Sequence, residues 1–559
     1  MIGFALMLFM LLGFAIFAAR RLLTFLHLFQ QEEYDGSRFL RWLVASGGWD
    51  RRVSAALVAL FVLQAAVGAL WISVFFLSPA LLGVAFLIAA WCESDPRKTA
   101  KKPLAMTARA KRIYGIGLGL AAALGLVATL VEGLLLAGLA PAVRLESFSS
   151  IALLLAWSCF VWLAAVQLIP LLLVAANLLL MPFEARVQRR YWREAHDKLN
   201  RLKPTVIGIT GSYGKTSVKH ILGHVLETAA PTLITPGSVN TAMGIARVIR
   251  ERLQPHHRYF VVEMGAYGIG SIARLCALTP PNLGIITAIG KAHYERFKTL
   301  DAVSHAKFEL AEAVRDNGGA VIVAADVLEF AWPREFATRH GDIVVTVGAD
   351  PDAPLVIRTL RQEPDGIVAS VVWRGADYEL RAPLYGLHQG PNIALAFAAA
   401  CTLGLAPADV VAALKSTPQI AHRLEVKRQG NGAVVIDDAY NSNPVGFASA
   451  LSLLDCLRPN GGRRILVTPG MAELGSAHDA EHRRIGQLAA RHVDVLLAVA
   501  PHRVAPLAAA FAEAAPEREI VACPTFGEAR AWLDGHLAGG DVVLIENDLP
   551  DILERRLRL

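Results

Sequence analysis

The sequence predicts an α/β fold preceded by an all-α membrane region, on three observations. Apolar residues make up 54% of the 559-residue chain, yet the long uncharged runs all lie before about residue 184. Beyond residue 200, β-branched runs alternate with helical patterns: YFVVEM, NLGIITAI and GAVIVAA, then AVVIDD, RRILVTP, VDVLLAVA and DVVLIE. That alternation is the mark of strands in parallel sheets. Ahead of these runs, GITGSYGKTSVKH (Gly208 to His220) joins a strand, a glycine-rich turn, a lysine, a threonine and a helix. Such a turn cradles phosphate groups with backbone N–H groups and a helix N-terminus.

A membrane span takes about 20 apolar residues. Met1 to Ala19 carries no charge, and Arg20 and Arg21 follow it rather than precede it. The order predicts an uncleaved anchor, not a signal peptide. Val53 to Cys92 is uncharged and long enough for two spans turning near Ser78-Pro79. Ile113 to Ala140 is a fourth candidate, and Ser147 to Phe183 a fifth, tilted or kinked at Pro170. Arg20 to Arg52 holds six arginines, Ser94 to Arg112 holds seven basic residues, and Arg186 to Lys203 is again basic. Five spans with the N-terminus outside put all three on one side, as the positive-inside rule requires. The chain then reads as a multi-pass protein of the cytoplasmic membrane with its later domains in the cytoplasm. Much of the net charge of +7 belongs to these flanks, which argues against a nucleic-acid partner. The scattered Cys92, Cys159, Cys276, Cys401, Cys456 and Cys523 form no CxxC pair, which argues against a disulfide framework or zinc site. Glu132, near the outer end of its apolar run, is read as interfacial rather than as an intramembrane functional acid. His27 to Leu43 mixes aromatics and charges at helical spacing, suiting either the inner interface or packing under the globular part.

In the phosphate turn, Lys215 is placed to reach the β/γ-phosphates and the Thr216 hydroxyl to take Mg²⁺. Thr210, Gly211, Ser212, Gly214 and Ser217 complete the expected nucleotide loop. Ile209 stands where the strict pattern wants glycine.

TGSYGKTSVKH resembles the nucleotide loop of the Mur ligases, ATP-dependent amino-acid ligases of peptidoglycan synthesis, and most the D-alanyl-D-alanine-adding branch. The resemblance continues in order through VVEMGAYGIGSI, ITAIGKAHYERFKTLDAVSHAKFEL, LYGLHQGPNIALAFAAA, HRLE, VIDDAYNSNPVGFASAL and RRILVTPGMAELG, over roughly residues 200 to 545. It implies a Mur-ligase-like fold: transmembrane region and basic connector over 1–200, central P-loop ATPase domain over 201–420, C-terminal Rossmann-like domain over 421–559. It implies amide-bond formation with ATP and two Mg²⁺ sites, the first held by Thr216 and Glu263 and the second helped by His293. Lys307, fourteen residues after His293, stands where many family members carry a lysine carbamylated by CO₂. Lys215, His293 and Lys307 are the expected catalytic residues. Asn392 would lie near adenine, Arg423 reach the phosphates, and Asp438 contact ribose. Asn240, Tyr440, Asn441 and Asn443 would face the substrates. His388 follows a family histidine or is a packed loop residue.

Four departures stand out. The asparagine pair after the loop is reduced to Asn240-Thr241, and Ala288 follows Thr287 where asparagine is common. LIENDLPD replaces the Lys-Gly-Ser of the D-alanyl-D-alanine adders, and apolar runs stand in place of a UDP-sugar domain. The last departure predicts a membrane-presented, lipid-linked carboxylate acceptor, with an amino acid or dipeptide as amine donor. A poly-glutamate-like synthase and a transport-coupled ATPase are the alternatives.

Overall fold

A computed structural model describes residues 2–32, 34–45, 48–68, 77–99, 103–139, 148–290, 297, 299–440, 442–458, 461–472 and 474–548. The chain divides into two compact units, one of residues 1–187 with 550–559, the other of residues 188–549.

The first unit is helical: α1 (Ile2–Gln31), α2 (Gly36–Ala45), α3 (Arg52–Gly68), α4 (Ser78–Cys92), α5 (Pro96–Thr99), α6 (Ala108–Leu139) and the part of α7 (Phe148–Leu202) before Gln188. Gly3–Gln31, Ala108–Leu134 and Leu153–Leu202 are long and apolar enough to cross a membrane. The α3 and α4 helices, from the expected hairpin, are shorter. Ser78-Pro79 opens α4, where proline suits a first turn. The first apolar run does not stop at its arginines: α1 continues to Gln31 and buries Arg21, which pairs with Asp50 at 2.8 Å and Glu93 at 2.6 Å. Phe14, Phe17, Phe86 and Trp162 pack at the centre of this unit. Glu132 is half-buried and bonded to Ser158 Oγ and, at 3.0 Å, to Trp162 Nε1. In α2, Phe39 and Leu43 are buried in the same helical core, so the aromatic-rich segment from His27 packs within this unit. The α7 helix runs through Pro170 and Pro182, so the last apolar run and the basic connector are one helix.

The second unit holds two sheets. The first contains β1 (Thr205–Thr210), β2 (Thr232–Ile234), β3 (Tyr259–Glu263), β4 (Leu283–Ile286), β5 (Ala320–Ala324), β6 (Val344–Gly348), β7 (Leu355–Glu363), β8 (Gly366–Trp373) and β9 (Ala376–Ala382). Their order is β2-β3-β1-β4-β5-β6-β7-β8-β9. Between and after them run α8 (Lys215–Glu227), α9 (Ala242–Arg252), α10 (Ser271–Leu278), α11 (Leu300–Asp316), α12 (Ala331–Arg339), α13 (Gln389–Thr402) and α14 (Pro407–Leu414). The sheet is mixed rather than purely parallel: β7, β8 and β9 form an antiparallel meander. Two-residue turns leave no room for a crossover, and Arg374 (φ 48) and Gly375 (φ 86) give the positive angles a tight hairpin turn takes.

The second sheet runs β10-β11-β15-β12-β13-β14, comprising β10 (Glu425–Arg428), β11 (Val434–Asp438), β12 (Arg464–Thr468), β13 (Val495–Val499), β14 (Glu519–Cys523) and β15 (Val542–Glu546). Helices α15 (Pro444–Cys456), α16 (His478–His492), α17 (Pro501–Ala514) and α18 (Phe526–His536) flank it. Only β10 pairs antiparallel. All six cysteines are free thiols.

In open α/β sheets ligands collect at the carboxyl ends of the strands. Here β1 sits between β3 and β4, with Ile209 level with Glu263 and Thr210 level with Ile286. That register brings Glu263 to the foot of the glycine turn. In the second sheet Asp438 and Glu546 are register partners at the ends of β11 and β15.

Candidate active site

The ends of both sheets line one cleft of about 360 Å³ within the second unit. From the first sheet come Ser212, Gly214, Lys215, Thr216, Ser217, Asn240, Glu263 and Asn392; from the second come Arg423, Asp438, Tyr440, Asn443 and Glu546. The sequence separates the two groups by up to several hundred positions, and the fold brings them to one cleft.

The turn after β1 depends on glycine at two places. Gly211 (φ 153) and Gly214 (φ 80) take left-handed angles. A Cβ on Gly211 would strike Thr287 Oγ1, and one on Gly214 would strike Asn392 Oδ1. The backbone therefore presses against both walls with no space for a side chain. Lys215 Nζ folds back onto the carbonyls of Gly211 (2.7 Å) and Ser212 (3.3 Å). Burial pushes its ammonium below the ordinary lysine range, Glu263 pulls it up, and Arg423 pushes it down.

Glu263 is the centre of the cleft floor and is almost wholly buried. Its Oε2 accepts from Thr216 Oγ1 and Lys219 Nζ, both at 3.0 Å, and its Oε1 from Asn240 Nδ2 at 3.4 Å. Tyr267 OH donates to Asn240 Oδ1 at 3.1 Å, which fixes the amide. Because Thr216 donates its proton to Glu263, its lone pairs remain for a ligand. A hydroxyl and a carboxylate are hard oxygen donors suited to Mg²⁺.

Lys307, on α11, is buried, and its charge is disfavoured first by burial and then by Lys215, so its amine lies well below the ordinary lysine range. His293 and Asn441 lie outside the described residues. Asn392 lines the cleft and donates to His388 O (3.2 Å) and Gln389 Oε1 (3.0 Å). His388 also lines the cleft, and burial pushes it down to about 4. Thr210 is set behind the cleft: its side chain is fully buried and donates to Met264 O. Asn443 caps α15, accepting from Val445 N and Gly446 N.

Arg423 sits where the chain enters the second sheet. Its neighbours His422 (φ 59) and Leu424 (φ 49) both hold left-handed angles. For side chains of this kind that conformation stores strain of about 1–3 kcal/mol per residue. His422 Nδ1 contacts both oxygens of Asp437 at 3.0–3.1 Å, Leu424 N donates to Asp438 Oδ1, and the Arg423 guanidinium lies 4.3 Å over the Tyr440 ring. Burial pushes Asp438 up to about 6, against Arg423, and pushes Glu546 well above the carboxylate range, with the Asp438 charge adding to it.

Tyr267 and Glu546 line the cleft outside the quoted motif roles, and Lys219 lies buried behind Glu263. Lys219 follows Lys215 by four positions and so shares its helix face. Glu546 ends a buried strand, DVVLIE, as Glu263 ends YFVVE.

The comparisons agree with this geometry. Residues 209–400 match the Mur ligase middle domain, and residues 422–546 match the Mur ligase glutamate ligase domain. A UDP-N-acetylmuramoyl-tripeptide–D-alanyl-D-alanine ligase of Mycobacterium bovis is 34% identical over 365 residues, covering 61% of this chain and 70% of that protein. The enzyme of that name from Escherichia coli is 29% identical over 295 residues, covering 53% and 64%. Among solved structures, MurF of Acinetobacter baumannii superposes with a TM-score of 0.55 at 24% identity, covering 66% of this chain and 81% of that one. MurF of Thermotoga maritima in complex with ADP gives 0.55 at 23%, covering 66% and 82%. A cleft built on a phosphate turn, a shared carboxylate and an arginine from the following sheet thus coincides with two matched domains in their expected order, and this chain belongs to the Mur ligase family, the ATP-dependent ligases that form amide bonds.

Proposed function

We propose that this protein is a membrane-embedded ligase of peptidoglycan-type synthesis that joins a carboxylate to the amine of an amino acid or dipeptide through an acyl phosphate. The observation that carries the reading is the single cleft in which Lys215, Thr216, Glu263 and Arg423 converge. A carboxylate and a triphosphate are both anions, and their reaction needs cations held between them. The proposed domains are 1–200 (membrane and connector), 201–420 (ATP) and 421–559 (closing domain).

The triphosphate would lie along the turn Gly211–Gly214 and the N-terminus of α8, with Ser212 and Ser217 beside it. Lys215 would exchange its two carbonyl partners for phosphate oxygens. Thr216 and Glu263 would hold Mg²⁺, which would offset charge on the transferring phosphoryl group. A neutral amine is the form that adds to CO₂, so the depressed Lys307 suits carbamylation, and a carbamate there with His293 would supply the anionic side of a second Mg²⁺ site. Asn392 would meet adenine and Asp438 the ribose. In the reaction the substrate carboxylate takes the γ-phosphoryl group and ADP leaves. The amine, having lost its extra proton, attacks the acyl carbon and phosphate leaves. Asn240, Tyr440, Asn441 and Asn443 are the proposed substrate-facing residues.

The relatives are named for UDP-N-acetylmuramoyl-tripeptide and D-alanyl-D-alanine. D-Alanyl-D-alanine is the first amine to test. The apolar helices favour an acceptor presented at the membrane, lipid-linked, with the ligase domains in the cytoplasm. Effective concentration would then replace affinity for a soluble carrier.

Phosphate release by the full-length protein in detergent tests this, with ATP, Mg²⁺ and D-alanyl-D-alanine, adding either UDP-N-acetylmuramoyl-tripeptide or total lipid extract. Lys215→Ala is the blank. Release that needs both amine and lipid supports the full reading. Release with the soluble tripeptide keeps the ligase and discards the lipid-linked acceptor. Release that ignores amine and acid overturns the ligase reading in favour of an ATPase.

A further inference from the structure

Lys219 is a cation that the reaction above does not use. It lies one turn beyond Lys215 on α8 and is wholly buried. Its Nζ is 3.0 Å from Glu263 Oε2 and also bonds the Gly237 carbonyl. Glu263 therefore has its oxygens engaged before any ligand arrives: Oε2 takes Lys219 and Thr216, and Oε1 takes Asn240. Burying a lysine against a carboxylate is often no better for stability than an apolar pair of the same size, so packing alone does not account for it. Lys215 and Arg423 stand on the cleft wall as well.

We propose that Lys219 is the built-in counter-cation of Glu263 and makes divalent-ion binding at Thr216 and Glu263 conditional on the triphosphate. A bare divalent ion entering the cleft meets a carboxylate already neutralised by Lys219, with two more cations facing it. It finds little net attraction and must shed water. A triphosphate reverses the balance, because its own negative charge outweighs these cations and supplies oxygen ligands. The metal then enters as the partner of the nucleotide and not ahead of it. Lys219 touches neither substrate nor phosphate in this scheme. It is a positioning residue that acts through Glu263 and keeps that carboxylate turned toward Thr216.

The inference rests on the reading of the cleft as the site of ATP and its metal. It is tested by Mn²⁺ binding to the full-length protein in detergent, followed by the electron paramagnetic resonance of free Mn²⁺, with and without ADP. Glu263→Gln serves as the blank for sites elsewhere. Wild-type protein is expected to bind Mn²⁺ about 10–100-fold more weakly without ADP than with it. Mn²⁺ should tighten ADP by the same factor, since coupling between two ligands is reciprocal. Lys219→Met is expected to strengthen nucleotide-free Mn²⁺ binding and narrow that gap, and Lys219→Arg to preserve it. Lys219→Gln replaces the methionine variant if the latter does not unfold cooperatively. Equal Mn²⁺ affinity with and without ADP in the wild type overturns the proposal, as does an unchanged gap in a folded Lys219→Met or Lys219→Gln protein. A protein that binds no ADP under any condition overturns the nucleotide-site reading itself and this inference with it.

Discussion

Lys307, buried on α11, and Asp438, in the cleft, are two residues whose ordinary charge the fold disfavours. Among the described residues no opposite charge offsets the burial of Lys307, and Lys215 adds repulsion. Protein equilibrated with ¹³C-bicarbonate should show one carbamate resonance that Lys307→Arg abolishes. An unchanged spectrum in the variant would reject carbamylation at this site. Asp438 is the opposite case, a carboxyl held up to about 6 by burial. A raised carboxyl contributes stability that is full below its unfolded value of 3.8 and is lost as pH rises through about 6. Asp438→Asn should therefore be more stable than the parent above pH 6, on the order of 2–3 kcal/mol, with the gain shrinking toward pH 4. Thermal unfolding at the two pH values checks the sign. At this scale the sequence was readable where chemistry and position coincide. Glu263 is named by the family resemblance, and an acid ending a buried apolar strand needs a partner, which agrees with it. Lys219 is not legible in the sequence because a lysine on a helix ordinarily points to solvent, and only its burial and its ion pair with Glu263 show that this one points inward.

At the scale of elements, the phosphate turn and the strained segment around Arg423 carry the site. Gly214→Ala would force a Cβ into Asn392 while the backbone keeps a left-handed angle. ATP-dependent turnover should fall about 100-fold, the usual effect of displacing a reacting group by an ångström, while far-UV circular dichroism stays unchanged. The Arg423–Tyr440 contact is worth about 0.5–1 kcal/mol. Tyr440→Ala should thus raise the KM for ATP about 2–5-fold and Tyr440→Phe should leave it alone; equal effects would remove the ring from the nucleotide site. The alternating pattern announced the parallel strands. The meander of β7 to β9 was hidden because its turns, Pro364-Asp365 and Arg374-Gly375, are short, and β-branched runs look alike in parallel and antiparallel sheets. The strained pair around Arg423 was equally invisible, since neither His422 nor Leu424 favours a left-handed angle by itself.

For the whole molecule, composition alone separated an apolar helical part from an α/β part, and the structure divides the chain at residue 187. The last expected span, ending at Phe183, and the basic connector after it both lie inside α7, which continues to Leu202. A fragment beginning at Gln188 should stay in the supernatant after ultracentrifugation and still bind ADP, whereas the full chain sediments with membranes. Sedimentation of the fragment would show that the second unit carries its own membrane affinity.

The cleft wall, with Lys215 and Arg423 facing the same space, also bears on how the protein must be handled and inhibited. Before its nucleotide arrives, two cations facing one space should attract compact polyanions. Pyrophosphate, inositol phosphates and sulfated dyes should all compete with ATP, more strongly at low ionic strength. Preparations made in phosphate buffer would understate its affinity for nucleotide, and a screening hit rich in acidic groups would need a salt titration before it counted as specific.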